Sequence, residues 1–270
     1  MAHDRLVPSA RDLHGASRCQ PCPSRRTGIC GAMGPGPFAI LGPLARFVTL
    51  PRDHLLIDED APAAAVWIVR RGVLRVQRYG ADGRRQIMGL FLPGEVTEKL
   101  STDRAGSCVE TATAVELCRL DRRAFAEVLA REPGLRRALT QQRLARLGRM
   151  RWMIWALGAL RPDERICAFL ALATRFLPVQ PLPDGTLALS VSLPRPDIAD
   201  LLGTSAETYS RVTHRLQDAE VIEILDPEHF RIRSLDALIR KGCAEQAFWT
   251  LPFPDLGGAG MAFDTVVQPV

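Results

Sequence analysis

The spacing of apolar residues changes character along the chain, and each change marks a different kind of element. Residues 1 to about 36 are polar, rich in proline and glycine and without periodicity, so they read as a loop or arm that orders only where something ties it down. From about residue 38 to 120, short β-type runs recur at 65–69, 73–77, 86–91 and 114–118. Turn signals separate them at Arg71-Gly72, 80–83 and Pro93-Gly94. Close spacing of short strands between glycine turns predicts a small all-β barrel or roll.

The period then lengthens. Asp121 caps a short helix running to residue 129, and Glu132-Pro133 opens a longer one. Leu135, Leu139, Leu144, Leu147, Met150 (or Met153), Ile154 and Leu157 recur at mostly helical spacing. They predict a helix of roughly 25 residues, about 38 Å long, with one apolar stripe. A helix that long on a small domain usually packs against a partner helix, so the stripe reads as a dimer seam rather than as packing on its own barrel. Arg143, Arg146, Arg149 and Arg151 spread around it and read as a solvated face, or as groups that meet acidic surface elsewhere. Arg161-Pro162 breaks the chain, a helix follows at 164–176, and 178–185 reads as a proline-rich connector.

Residues 193–216 fit a helix-turn-helix. Ile198, Leu201 and Leu202 give a first helix its apolar face, and Ala199 is small where two helices approach closely. Gly203 falls where the tight turn favours positive φ, and Thr204 or Ser205 can cap the second helix. Tyr209, Val212 and Leu216 form the buried side of that helix. Glu207, Thr208, Ser210, Arg211, His214 and Arg215 are left outside, where a recognition helix meets base edges. Arg211 can fork onto guanine O6 and N7, and Glu207 can accept from cytosine N4. Residues 221–225, a turn at Asp226-Pro227 and 230–233 read as a β-hairpin wing.

Composition narrows the class. The chain has 270 residues, enough for two modest domains, with 47% apolar and 24% charged residues. The longest apolar run, 153–160, is about half a membrane span, and the N-terminus lacks a secretory apolar region, so a cytoplasmic protein is expected. The net charge is +5. Nine arginines face three acids over 121–160, but nine face twelve over 161–240, a mild objection to reading the second half as DNA-binding. No Walker loop, G-x-S-x-G, H-E-x-x-H or dinucleotide fingerprint is present, which speaks against an enzyme. Of seven cysteines, Cys19, Cys22 and Cys30 cluster as C-x2-C-x7-C in a segment with almost nothing apolar to pack. In a reducing compartment, thiols this close point to a metal centre rather than to disulfides.

On these residues the chain resembles the cyclic-AMP receptor protein superfamily of bacterial transcription regulators. More closely, it resembles the fumarate-and-nitrate-reduction regulator branch, over about residues 19–240. Glu207-Thr208-Tyr209-Ser210-Arg211 matches that branch's E-x-x-S-R recognition helix, and the N-terminal cysteines match its cluster arm. The resemblance implies that Glu207, Ser210 and Arg211 contact bases in palindromes of TTGAT-type half-sites. It also implies an oxygen-labile 4Fe-4S cluster on Cys19, Cys22, Cys30 and a fourth cysteine from the β-roll. Cys118, in Val-Glu-Leu-Cys-Arg-Leu, fits that frame better than its rival Cys108. The x7 spacing is longer than the x5 of some members. Zinc on the same thiolates, or no metal, in a same-fold regulator of redox state or nitric oxide is the alternative. The superfamily's nucleotide pocket needs Gly-Glu-Leu for the ribose and Arg-Ser for the phosphate. Here the run is Gly94-Glu95-Val96-Thr97-Glu98-Lys99-Leu100, and Arg104 lacks its serine near 105–106, so a cyclic nucleotide is not expected.

The expected fold is therefore α+β: a cyclic-nucleotide-binding-like β-roll, a long dimerisation helix and a C-terminal winged helix-turn-helix. The expected domains are a cysteine arm (1–36), the roll (37–130), the dimerisation helix (131–160), the DNA-binding domain (161–240) and a tail without assigned role (241–270). Double-stranded DNA, a second copy of the chain and RNA polymerase are the expected partners.

Overall fold

The computed structural model describes residues 19, 22, 28–32, 40–58, 65–97 and 107–253. Eight strands build the N-terminal roll as two four-stranded antiparallel sheets. One has the order β1 (Arg46–Leu50), β8 (Val115–Asp121), β3 (Ala65–Arg71), β6 (Val96–Thr97). The other runs β2 (Leu55–Ile57), β7 (Cys108–Thr111), β4 (Leu74–Tyr79), β5 (Arg85–Phe91). Alternation along β8 decides which side each residue serves. Val115 and Leu117 join Trp67, Val69, Leu74, Phe91 and Val109 in the core of the roll. Cys118 and Leu120 belong instead to a second cluster, made with helices packed on the outside of the sheet.

Those helices are α1 (Gly28–Ala32), α2 (Arg122–Arg131) and α3 (Pro133–Ala159). Asp121 caps α2, accepting from the Arg123 and Ala124 N–H groups at 2.9 and 3.0 Å. At 27 residues, α3 matches the long helix expected. Its apolar stripe does not stay on one side of the problem, however. Leu135, Ala138 and Leu139 are buried against the roll and Ile29 of α1. Leu144, Leu147, Met150, Ile154 and Trp155 are exposed, Ile154 at 69%. Only the second half of the helix offers an apolar face to a partner. Of the four arginines, Arg143 and Arg151 are exposed, as a solvated face requires, while Arg146 and Arg149 turn inward. Arg146 lies over the Phe91 ring at 3.9 Å, and Arg149 pairs with buried Glu95.

The C-terminal half contains α4 (Pro162–Ala173), α5 (Arg195–Leu202), α6 (Ala206–Asp218), α7 (Leu235–Lys241) and α8 (Glu245–Thr250). A third antiparallel sheet runs β9 (Val179–Pro181), β10 (Leu187–Ser190), β12 (His229–Ile232), β11 (Ile222–Ile224). Strands β11 and β12 are the expected wing. The supposed connector at 178–185 is instead part of a hairpin that extends the wing sheet, since Leu187, Ala188 and Leu189 pair with Pro181, Gln180 and Val179. Proline at the strand ends hid the alternation there. Within the described residues the tail carries α8 and packs through Phe253. Residues 98–100 and 104–106, invoked against a nucleotide, lie outside the described residues, as does most of the cysteine arm.

Candidate functional site

The helix-turn-helix forms as its residues require. Gly203 ends α5 at φ +59°, the left-handed conformation that a glycine enters without penalty. Ser205 caps α6, its Oγ accepting from the Thr208 N–H at 3.1 Å. Tyr209, Val212 and Leu216 are buried, and burial pushes the Tyr209 phenol pKa up. Glu207, Ser210 and Arg211 share one face of α6, because residues three and four apart align on a helix. Glu207 and Arg211 are exposed and Ser210 is half-buried. Arg211 is steadied along the helix by donating to Thr208 Oγ1 at 3.4 Å. His214 and Arg215 extend the exposed face.

The acidity of this half is partly turned inward. Asp197 and Asp200, on α5, face the roll and not the recognition surface. Arg75 of β4 donates to Asp197 Oδ2 at 2.6 Å, and Arg85 of β5 donates to Asp197 Oδ1 at 2.7 Å and Asp200 Oδ2 at 2.6 Å. The Gln86 amide adds a bond to the Asp200 carbonyl. Arg75 also meets Asp53 at 2.8 Å and Glu110 at 2.7 Å. Burial opposes its charge, but the hydrogen bonds to Glu110, Asp53 and Asp197 outweigh that and hold its pKa above the usual guanidinium range. Sequence reasoning missed this latch between roll and DNA-reading domain. Two signals were there to read: an arginine inside the apolar run Val73-Leu74-Arg75-Val76, and two aspartates at i, i+3 on α5.

The cysteines converge on the outer face of β8. Burial raises the Cys118 thiol pKa, Arg70 beside it pulls it back, and charge on Cys22, Cys30 and Cys19 would raise it further. Cys30 behaves alike: burial, then the nearness of Cys22 and Cys19, pushes its thiol up to about 12. Arg70 Nε lies 3.4 Å from Cys22 Sγ. Burial works against the Arg70 charge, while Cys22, Cys118 and Glu116 favour it and leave its pKa raised. The four thiols are thus near enough to feel one another's charge. Among the described residues, no three His, Cys, Asp or Glu side chains are gathered at metal-holding distance. The donor chemistry nevertheless fits a thiolate-bound metal or cluster: four thiols and one guanidinium placed to offset their negative charge. Cys108 lies on β7 of the opposite sheet, with its Sγ 3.7 Å from the Gln77 carbonyl.

The arm is seated by a close backbone contact. Gly28 has φ +54°, and a Cβ there would sit 1.9 Å from the Gly94 carbonyl oxygen. The next N–H, of Ile29, donates to that oxygen at 3.1 Å. Nothing in the spacing of the cysteines signalled the role of Gly28, Ile29 or Arg70.

Residues 47–132 match the family described as Cyclic nucleotide-binding domain, and residues 164–241 match the Crp-like helix-turn-helix domain. The chain is 28% identical over 221 residues to the transcriptional activatory protein AadR of Rhodopseudomonas palustris, covering 79% of this chain and 92% of that one. It is 31% identical over 172 residues to the nitrogen fixation regulation protein FixK of Rhizobium meliloti, covering 60% of this chain and 75% of the relative. The solved structure of FixK2 from Bradyrhizobium japonicum superposes with a TM-score of 0.66 at 24% identity, over 73% of this chain and 96% of that one. These domains and relatives are those of transcription regulators rather than enzymes. With a β-roll, a long helix and a Crp-like helix-turn-helix in this order, the chain belongs to the Crp/Fnr family of DNA-binding transcription regulators.

Proposed function

We propose that this regulator responds to oxygen through a 4Fe-4S cluster held by Cys19, Cys22, Cys30 and Cys118. Its state governs pairing of α3 with a second copy and, through that, binding to TTGAT-type palindromes. The observation that supports the reading is that Cys30 and Cys118 pack in one cluster with the first turns of α3, with Arg70 beside Cys22 and Cys118 and all four thiols close enough to perturb one another. When bound, the cluster supplies the reactivity toward oxygen. The protein's own residues supply the connection. Ile29, next to Cys30, packs in one cluster with Leu135, Ala138 and Leu139 of α3. Gln142 then ties α3 to the roll, accepting from the Val96 N–H at 3.1 Å and donating to the Val96 carbonyl at 3.0 Å. Beyond that tie, the exposed face from Leu144 to Trp155 is the seam. Pairing there sets two recognition helices about one helical turn, about 34 Å, apart on DNA.

No cyclic nucleotide is part of this reading. The Glu95 carboxylate already accepts from Arg149 and from the Leu92 N–H, which supports that choice. Among the described residues no helix is long and apolar enough to cross a membrane, in keeping with action on DNA in the cytoplasm, with RNA polymerase as the further partner.

Iron and acid-labile sulfide analysis of anaerobically purified protein tests the cofactor. The expected result is about four irons and four sulfides per chain in wild type and in Cys108→Ser, and loss of both in Cys118→Ser. Stoichiometric zinc without sulfide would replace this reading with the redox or nitric-oxide one. DNA reading is tested separately. Arg211→Ala should cost about 1–3 kcal/mol of specific affinity and relax the preference at one base pair. Equal weakening on all sequences would reduce Arg211 to a phosphate contact.

A further inference from the structure

Residues 244–253 lie beyond the Crp-like helix-turn-helix match, which ends at 241. They are nonetheless packed into the molecule. Ala247, Phe248 and Leu251 are buried, and Phe253 stacks on Phe176 of the DNA-binding half with ring centres 5.1 Å apart and planes 19° apart. Two arginines grip the segment by its backbone. Arg175, just past α4, donates to the Leu251 carbonyl at 3.1 Å and to the Phe248 carbonyl, with its guanidinium 5.2 Å from the Phe253 ring centre. Arg149 of α3 donates to the Pro252 carbonyl at 2.8 Å and lies 5.6 Å from the same ring. The same Arg149 guanidinium pairs with Glu95 of the roll.

The segment therefore meets the DNA-binding half and α3 directly, and the roll through Arg149. The described residues leave an opening at the joint the segment crosses. A cavity of about 470 Å³ lies between β5, α3, α4 and α5, walled by Met88, Leu90, Met153, Phe169 and Leu201, with Leu251 and Phe253 on the tail's side. Close packing holds the two halves where Val73, Ile87 and Leu92 of the roll share a buried cluster with Ile166, Ile198 and Leu201, and the open pocket lies beside that contact. On another side of α5 the span is the ion latch of Arg75 and Arg85; here it is the tail.

We propose that residues 244–253 are an intramolecular strap. It fastens the winged-helix domain to α3 and, through Arg149, to the β-roll, and so sets the orientation in which α6 is presented. Arg149 is the buckle, because one guanidinium holds both the tail carbonyl and the roll carboxylate.

Small-angle X-ray scattering on the whole protein tests this directly. Phe253→Asp places a charge on a half-buried ring position that can turn to solvent without unfolding α8. Arg149→Met removes the buckle. Both should shift the scattering to a larger radius of gyration and a broader distance distribution, with the far-ultraviolet circular dichroism of wild type. Trp249→Ala, exposed on the same helix, should superpose on wild type. A chain ending at Ala244 is the second variant and must give the same expansion relative to its length. If the truncated chain keeps the wild-type domain arrangement, the strap is overturned and the segment is only a surface cover. The outcome does not depend on the cluster, since it is read on metal-free protein.

Discussion

Replacing Arg75 with methionine is expected to destabilise the protein by about 3–5 kcal/mol, the range for removing one partner from a buried ion pair. The reason lies in what stays behind. Arg75 is only 4% exposed and gathers Asp53, Glu110 and Asp197 around one guanidinium. Asp197 keeps Arg85, and Asp53 keeps Arg52 at 3.1 Å. Glu110 keeps none of the ion pairs described and is left among like charges. The sign with pH follows. The Arg75 hydrogen bond holds the Asp53 carboxyl below its ordinary value, a contribution present above the unfolded value and lost as pH falls through the folded one, so the gap between wild type and variant narrows in acid. Urea unfolding at neutral pH against mildly acidic pH reads both effects. Arg75→Met combined with Glu110→Gln should recover part of the loss, because an uncharged partner no longer needs the cation. A variant as stable as wild type at neutral pH would mean that the latch holds no load between roll and α5. Loss confined to the roll's own melting, with α5 still docked, would place the load inside β4 and β7 alone.

What could be read in the sequence, and what could not, follows from how far apart the interacting residues lie. Strand alternation and the helix-turn-helix were legible because each rests on local spacing: the turn at Gly203, the small Ala199 and the cap at Ser205 all act within a few residues. The long helix was legible as a helix, but not in how it divides. Its stripe looks uniform from Leu135 to Leu157, and only docking on the roll and on Ile29, more than a hundred residues earlier, separates the buried part from the exposed seam. The latch was legible in its parts, an arginine in an apolar run and two aspartates three apart, but not in its pairing. Arg75 and Arg85 meet Asp197 across 122 and 112 residues, and no periodicity records such a pairing. The thiol site divides along the same line. Cysteine spacing announces metal chemistry, since thiols have few other reasons to cluster in a polar arm. Arg70, which offsets their charge, is one of two arginines ending β3, and its neighbour Arg71 looks the same in sequence.

Ile29→Asp is expected to undock the cysteine arm while leaving the rest of the fold intact. Ile29 is 1% exposed and belongs to one buried cluster with Cys118, Leu120, Phe125, Leu135, Ala138 and Leu139. Burying an isoleucine side chain is worth about 1.5–3 kcal/mol, and a carboxylate in its place would need several kcal/mol more. The arm has a cheaper response, because α1 is only five residues long and is held besides by the Ile29 N–H on the Gly94 carbonyl. It leaves, and the cost is capped at what docking contributed. A docking free energy of about 1.5–3 kcal/mol corresponds to a shift of roughly ten- to a hundredfold in the docked fraction. Alkylation of Cys30 and Cys118 in reduced, metal-free protein should accelerate by a comparable factor, because the arm covers both thiols. Alkylation of Cys167, buried in α4, should not change. Ile29→Val, which keeps most of the apolar contact, should stay within a few-fold of wild type. If Ile29→Asp left Cys118 as protected as before, β8 would be shielded by α2 and α3 alone. The route from the arm to the seam through Ile29 would then be overturned, leaving Cys118 on β8 as the thiol that packs with the long helix.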